Sequence, residues 1–364
     1  MSKKFIIAGG GTGGHIFPAI AIAQALGRML PDADFLFIGA NGKMEMEKVP
    51  QAGFKIIGLE IAGFNRSSLW KNIGLPFKIF GSWLKARSVI KQYKPDAVIG
   101  VGGYSTYPVL KAAQSAGIPT FIHEANSFAG KSNKMLAANV VKIFTGTDGM
   151  EKFFPADKII VTGNPVRANI FKTAYNKSEV LSSFGLGIQR KTVLVVGGSL
   201  GAKSINEAIG AGINRLIDAG LQLIWQTGNL YKEQAQLQIA NKEGIWVNDF
   251  ISDMGKAYAA ADLIVSRSGA MSVAEISLSA KPVIFIPYPY AAEDHQTVNA
   301  MHLVQKNAAM LIKDKDASTE LITKIIELAN NETKQTELKN NLKQFAIADA
   351  DNRIANEIIA SISK

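Results

Sequence analysis

A chain of 364 residues exceeds what one hydrophobic core ordinarily serves, so two domains are expected. With 47% hydrophobic and 19% charged residues and no cysteine, it reads as a globular protein without disulfides, thiolate metal sites or a thiol nucleophile. The net charge of +10 lies almost wholly in residues 1–163, with 19 Lys+Arg against 10 Asp+Glu, which suits an acidic partner or simply a soluble surface.

From the N-terminus, MSKKFIIAGG runs into a glycine loop too soon for a signal peptide, and no apolar run approaches the roughly 18 residues that span a bilayer. A cytoplasmic protein that meets membranes only from its surface is expected. Short apolar runs predict strands at Lys4–Ala8, Asp34–Ile38, Lys55–Leu59, Ala97–Val101, Thr120–His123 and Lys142–Phe144. A second series follows at Thr192–Val196, Gln222–Gln226, Ile245–Asn248, Leu263–Ser266 and Pro282–Ile286. Runs such as VLVV and VIFI are apolar throughout, as in strands buried on both faces of a parallel sheet, and helical patterns separate them. Two strand-and-helix series predict an α/β protein of two doubly wound, Rossmann-like parallel-sheet domains, joined near Val161–Arg167. Residues 351–362 read as a last helix.

Ligands of such sheets sit beyond the strands' carboxyl ends. Three turns there carry glycine: Gly9–His15, Gly197–Ala202 and Arg267–Ser272. Glycine lets backbone approach a ligand, and a following helix aims free N–H groups at phosphate or sugar hydroxyls; a tight turn without a ligand has the same sequence. Gly9, Gly11 and Gly14 also satisfy the dinucleotide spacing, but the second strand ends Phe37-Ile38-Gly39-Ala40-Asn41 with no carboxylate for a ribose. No Gly-Lys-Ser/Thr P-loop is present. The triplets Asp32/Asp34, Asp314/Asp316 and Asp349/Asp351 read as solvated turns, so no metal site and no cofactor is expected.

GGTGGH (10–15), GVGGYSTYP (100–108), HEANSFAGKSN (123–133), GNPVR (163–167), GGSLGA (197–202), RSGAMSVAE (267–275) and DHQTVNA (294–300) occur in that order. As an ordered set they resemble the peptidoglycan N-acetylglucosaminyltransferases of glycosyltransferase family 28. The resemblance implies the GT-B architecture, two Rossmann-like domains facing a cleft. It implies an acceptor and membrane-facing domain over residues 1–163, with a C-terminal helix of about 345–364 packing back on it, and a UDP-GlcNAc domain over 164–344. The implied reaction is inverting transfer of GlcNAc from UDP-GlcNAc to the C4 hydroxyl of MurNAc in lipid I. A GT-B transferase with another acceptor, or a non-catalytic nucleotide-sugar or nucleic-acid binder, are the alternatives; no nucleic-acid motif appears, so none is expected as partner.

For the donor, the resemblance places Ser199 and the N–H groups near it at the diphosphate, has Ser272 reach phosphate, and counts Ala270 and Met271 among the donor-binding residues. Glu275 would accept from the ribose hydroxyls, or is a first-turn carboxylate favoured by the helix dipole. The Ile251 N–H would read uracil, and Arg267 and Arg167 would add positive charge, though Arg167 suits a hinge salt bridge equally. His295 and Gln296 would read the sugar; some relatives have glutamine in place of His295. On the acceptor side stand Thr12, Gly13, Gly14, Tyr104 and Asn126. His15 is the candidate base, its intrinsic pKa being near neutral, or else it caps or orients the loop; Glu124 is the alternative base.

Residues 68–89 crowd Leu69, Trp70, Ile73, Leu75, Phe77, Ile79, Phe80, Trp83 and Leu84 among Lys71, Lys78, Lys85 and Arg87. This exceeds one core-facing stripe and suits an interfacial element on an anionic membrane surface; a buried helix broken near Pro76 is the other reading.

Overall fold

The computed structural model describes residues 2–61, 74–166, 170 and 175–363. The chain forms two compact units, Met1–Arg167 with Ile347–Lys364, and Ala168–Ala346. The first unit runs β1 (Lys4–Ala8), α1 (Gly13–Met29), β2 (Asp34–Ala40), α2 (Glu45–Gln51), β3 (Lys55–Leu59) and α3 (Leu75–Tyr93). It continues with β4 (Ala97–Gly100), α4 (Thr106–Ser115), β5 (Thr120–Glu124), α5 (Lys131–Leu136), β6 (Lys142–Thr145) and β7 (Ile159–Val161). The second unit runs α6 (Lys177–Ser183), β8 (Lys191–Val196), α7 (Lys203–Asp218), β9 (Leu221–Gln226), α8 (Lys232–Gln238), β10 (Ile245–Asn248) and α9 (Met254–Ala260). Then come β11 (Leu263–Ser266), α10 (Ala270–Ser279), β12 (Val283–Phe285), α11 (His295–Val304), β13 (Met310–Leu311), α12 (Ala317–Asn330) and α13 (Glu332–Leu342). The last helix, α14 (Ala350–Ile362), belongs to the first unit.

Both sheets are wholly parallel. Their orders are β3-β2-β1-β4-β5-β6-β7 and β10-β9-β8-β11-β12-β13. Each order reverses beside its unit's first strand, between β1 and β4 and between β8 and β11, and at such a point the turns leaving the two strands diverge to opposite faces and leave a crevice. The Gly9–His15 turn leaves β1 and the Val101–Ser105 turn leaves β4; the Gly197–Ala202 turn leaves β8 and the Arg267–Gly269 turn leaves β11. The topology therefore pairs the second and third sequence-flagged turns in one unit, and in the other sets the first beside the Val101–Ser105 turn, which is not among the three flagged from sequence.

Phe5, Ile7, Ile99 and Phe121 on one face of the first sheet pack against α1 and against Ile354, Ala355 and Ile358 of α14. Arg28 at the end of α1 pairs with Asp351 of α14 at 2.6 Å. On the other face, Ile6, Val98 and Ile122 meet Ala86 and Ile90 of α3. In the second unit Val193, Val195 and Trp225 pack on α7 and α12, while Leu194, Ile224 and Phe285 face α9 and α10.

Two short strands, β7 and β13, escape the apolar-run criterion. Pro76 lies in the first turn of α3, where its missing N–H costs nothing, and so starts that helix instead of breaking it. Asp314 and Asp351 are not solvated: Asp314 pairs with Arg267, and Asp351 is buried against Arg28. Among the described residues no helix is long and apolar enough to cross a membrane.

Candidate active site

The turn after β1 holds its shape through glycine. Gly10 and Gly11 have φ of +151° and +89°, and Gly102 and Gly103, after β4, have +93° and +90°. Such values are open to glycine at little cost. The Gly10 N–H donates to the Gly102 carbonyl, and the Thr106 hydroxyl bonds the carbonyls of both Ala8 and Gly102. The GGTGGH and GVGGYST motifs thus form one backbone assembly at the first switch point. Thr12 is exposed, Gly13 and Gly14 open α1, and the half-exposed Tyr104 borders Gly11.

His15 sits in the first turn of α1, half-buried, with Nδ1 3.1 Å from the Gly10 carbonyl oxygen and 3.3 Å from Thr12 Oγ1. A carbonyl only accepts, so Nδ1 carries the proton and the neutral ring keeps its lone pair on Nε2. A Cβ on Gly102 would come within 2.8 Å of that Nε2, so the bare glycine makes room for the ring. His15 N–H also bonds the Thr12 carbonyl, so orienting the loop and presenting a basic nitrogen coexist in one residue.

Glu124, the alternative base, is engaged by its own loop. Its Oε1 accepts from the Asn126 N–H and Nδ2, at 3.2 and 3.4 Å, and its Oε2 from the Gly130 N–H and Asn133 Nδ2, both at 2.9 Å. Four donors fill a carboxylate's acceptor positions, and the group is buried. Glu124 therefore organises the HEANSFAGKSN loop, Asn126 included. His123 beside it is wholly buried; desolvation, with a smaller contribution from nearby His15, pulls its pKa down to about 4, and it is neutral at physiological pH.

Sequence reasoning missed Glu45. Its buried carboxylate, from the start of α2, accepts from the Gly11 N–H at 2.9 Å and the Ala40 N–H at 3.0 Å. Nothing in the spacing of the sequence points to it, because it follows the second strand by five residues and meets the glycine turn only through the fold.

In the second unit Ser199 is exposed in the turn after β8, where Gly198 and Gly201 have φ of +88° and +78°. The Gly197–Ala202 turn opens α7 with no side-chain cap, and the Arg267–Gly269 turn opens α10 likewise. Ala270 is buried, Met271 and Ser272 are half-buried, and Glu275 one turn on is buried and accepts from the Tyr258 hydroxyl at 3.1 Å. Gln296 binds back on the loop before it, its Oε1 accepting from the Tyr288 N–H, while the Ser268 hydroxyl bonds the Gln296 carbonyl. His295 Nδ1 lies 2.6 Å from the Ala292 carbonyl, which again places the proton on Nδ1. The two residues before it, Glu293 and Asp294, both hold left-handed φ, +56° and +53°, a strained pair that sets the entry to α11.

Two expectations need correction here. Arg267 is buried, and its guanidinium donates to the carbonyls of Ile286 and Pro287, to Ser204 Oγ and to Asp314 Oδ1 at 2.5 Å. Its charge is neutralised inside the unit and braces the turn. The Ile251 N–H is not open either; it donates to Gln226 Oε1 at 2.9 Å, while Gln226 Nε2 donates to the Gly198 carbonyl. Gln226, at the end of β9, thus ties the Ile251 segment to the second glycine turn. Arg167 lies outside the described residues.

On α3, Phe77 and Phe80 are 80% and 59% exposed and Leu84 is exposed too, flanked by exposed Lys78, Lys85 and Arg87. Leu75, Ile79 and Trp83 are half-buried, and Ile79 and Trp83 pack on the core, so they do not belong to the fully exposed face. Trp83 still stacks under Phe80 at 5.9 Å. Trp70 lies outside the described residues, with Leu69, Lys71 and Ile73.

The descriptions that match are Glycosyltransferase family 28 N-terminal domain, over residues 5–145, and Glycosyltransferase family 28 C-terminal domain, over residues 192–354. The chain is 49% identical to a UDP-N-acetylglucosamine–N-acetylmuramyl-(pentapeptide) pyrophosphoryl-undecaprenol N-acetylglucosamine transferase of Bacteroides fragilis, over 98% of this chain and 95% of that one. It is also 49% identical to the protein of that name from Phocaeicola vulgatus, over 99% and 97%. The crystal structure of Acinetobacter baumannii MurG superposes with a TM-score of 0.81 at 29% identity, covering 98% of this chain and 99% of that one. The chain belongs to glycosyltransferase family 28.

Proposed function

We propose that the chain is an inverting N-acetylglucosaminyltransferase that moves GlcNAc from UDP-GlcNAc to the C4 hydroxyl of MurNAc in lipid I, giving lipid II for peptidoglycan. The observation that carries this reading is the near-full-length similarity to transferases whose names state both donor and acceptor.

In this reading the second unit, residues 168–346, holds the donor. The N–H groups opening α7 and α10, with Ser199 and Ser272, receive the diphosphate, because helix N-termini carry partial positive charge. Glu275 accepts from the ribose hydroxyls, and His295 and Gln296 face the sugar. The first unit, residues 1–167 with 347–364, presents the acceptor at Thr12, Gly13, Gly14, Tyr104 and Asn126. His15 Nε2 takes the proton from the C4 hydroxyl as its oxygen bonds to the anomeric carbon. The bond from that carbon to the diphosphate oxygen breaks on the opposite face, so the configuration inverts and UDP departs with the electron pair. Main-chain donors stabilise its developing charge.

Because lipid I is membrane-borne, the protein works as a peripheral enzyme at the cytoplasmic face of the cell membrane. Phe77, Phe80 and Leu84 enter the interface, and the lysines beside them meet anionic headgroups. The test is UDP release from UDP-GlcNAc with a lipid I analogue against a panel of soluble acceptors. Wild-type protein is expected to turn over the analogue alone, and His15→Ala to lose about 10²-fold in kcat with donor affinity retained. Equal turnover of soluble acceptors would reject the acceptor assignment, and wild-type kcat in His15→Ala would reject the base.

A further inference from the structure

One peptide group, Gly10–Gly11, carries two bonds. Its N–H donates to Glu45 Oε2 at 2.9 Å, and its carbonyl lies 3.1 Å from His15 Nδ1. Carboxylate, amide and imidazole are joined in series through one planar, polarisable group. The surroundings are shaped to admit the carboxylate. A Cβ on Gly10 would lie 2.1 Å from Glu45 Oε1, and one on Gly39, in β2, would lie 2.5 Å from Glu45 Cγ. Glycines on two separate elements thus vacate the space that Glu45 fills. Glu45 is 1% exposed, and burial of a carboxylate is costly unless its partners compensate.

We propose that Glu45 is a positioning residue for His15, acting through the Gly10–Gly11 peptide. Its negative charge polarises the amide and makes the Gly10 carbonyl a stronger acceptor for the Nδ1 proton. That holds the imidazole with Nε2 bare and stabilises the imidazolium formed when Nε2 takes a proton, the service a directly bonded carboxylate gives a catalytic histidine. Two other titratable groups stand near the loop: His123, neutral through burial, and Tyr104, which borders Gly11.

This inference rests on the reading of His15 as base, and a double-mutant cycle on kcat separates the two. Glu45→Gln is expected to lower kcat about 10-fold with the KM for UDP-GlcNAc within about twofold of wild type, and to cost less than about twofold in the His15→Ala background. In the ¹⁵N spectrum of the chain's four histidines, His15 in Glu45→Gln is expected to titrate about half a pH unit lower than in wild type. Should Glu45→Gln prove too unstable, Glu45→Asp keeps the charge and is expected to retain the histidine titration within about 0.2 units. An impaired His15→Ala with an additive Glu45 loss, or an unmoved His15 titration in Glu45→Gln, overturns the Glu45 link alone; a fully active His15→Ala overturns the base and the link together.

Discussion

Replacing Gly103 by alanine tests whether the first switch point is held as tightly as its geometry requires. Gly103 has φ of +90°, and its Cβ would lie 2.3 Å from the Gly10 carbonyl oxygen and 3.0 Å from the Gly10 nitrogen. Left-handed backbone costs a side-chain-bearing residue about 1–2 kcal/mol. The clash adds to this, because both opposing atoms are main chain and no rotamer relieves it. Gly10 must retreat by about 0.7 Å even to reach the 3.0 Å that real Cβ atoms respect, and by about 1 Å to reach ordinary contact. Its carbonyl holds the His15 ring, so the ring moves with it, and a misplacement of about 1 Å lowers a reaction rate by about 10²-fold. The expected outcome in a UDP-release assay is a kcat loss of about that size with unchanged UDP affinity, since the donor turns belong to the other unit. A folded Gly103→Ala protein whose kcat stays within about threefold of wild type would refute the reasoning.

Asp314→Ala leaves the Arg267 guanidinium buried without its carboxylate and is expected to destabilise the chain by about 3 kcal/mol, the lower end for a broken buried pair because Asp314 is 23% exposed. Tighter UDP binding without loss of denaturation midpoint would instead mark Arg267 as a charge reserved for the diphosphate. His123 titrates at about 4 when folded and near 6.5 as a free imidazole, so below pH 6.5 the unfolded chain holds the extra proton. Stability is therefore lost as pH falls from 6.5 towards 4, by up to about 3 kcal/mol, and is flat in this respect above 6.5. Urea midpoints of His123→Gln and wild type are expected to converge across that window, and parallel curves would remove His123 as the cause. Replacing Phe77 and Phe80 by serine is expected to weaken sedimentation with anionic vesicles at least fivefold while sparing UDP binding; unaltered sedimentation would discharge α3 from a membrane role.

Strands with both faces covered, such as Val193–Val196 and Val283–Phe285, are legible as short apolar runs bounded by turn residues; the length and the flanks decide, because α1 carries an apolar run of its own at Ala19–Ala23. β7 and β13, at the sheet ends, are apolar too, but with three and two residues they are too short to stand out as strands. The glycine turns are legible because their conformation excludes most other residues. What answers them is not. Glu45 reaches the first turn from a different helix, Gln226 reaches the second from a neighbouring strand, and Asn133 completes the shell of Glu124. Each is an ordinary polar residue whose partner is set by tertiary placement. The same holds for Asp314 and Asp351, whose arginines lie 47 and 323 residues away. Ile79 and Trp83 went astray for the opposite reason: an aromatic-rich helix does not reveal which of its apolar residues the core claims.

The placement of α14 has a consequence for synthesis. Ile354, Ala355 and Ile358 complete the packing around Phe5, Ile7 and Leu26, yet residues 168–346 are translated in between. At 5–20 residues per second that interval lasts roughly 10–40 s. The first unit must wait on the ribosome with its α1 flank uncovered while the second, contiguous in sequence, is able to finish. The later-made half is thus the one free to mature first, and nascent chains stalled before residue 347 should expose the Ile22–Leu26 surface to chaperones.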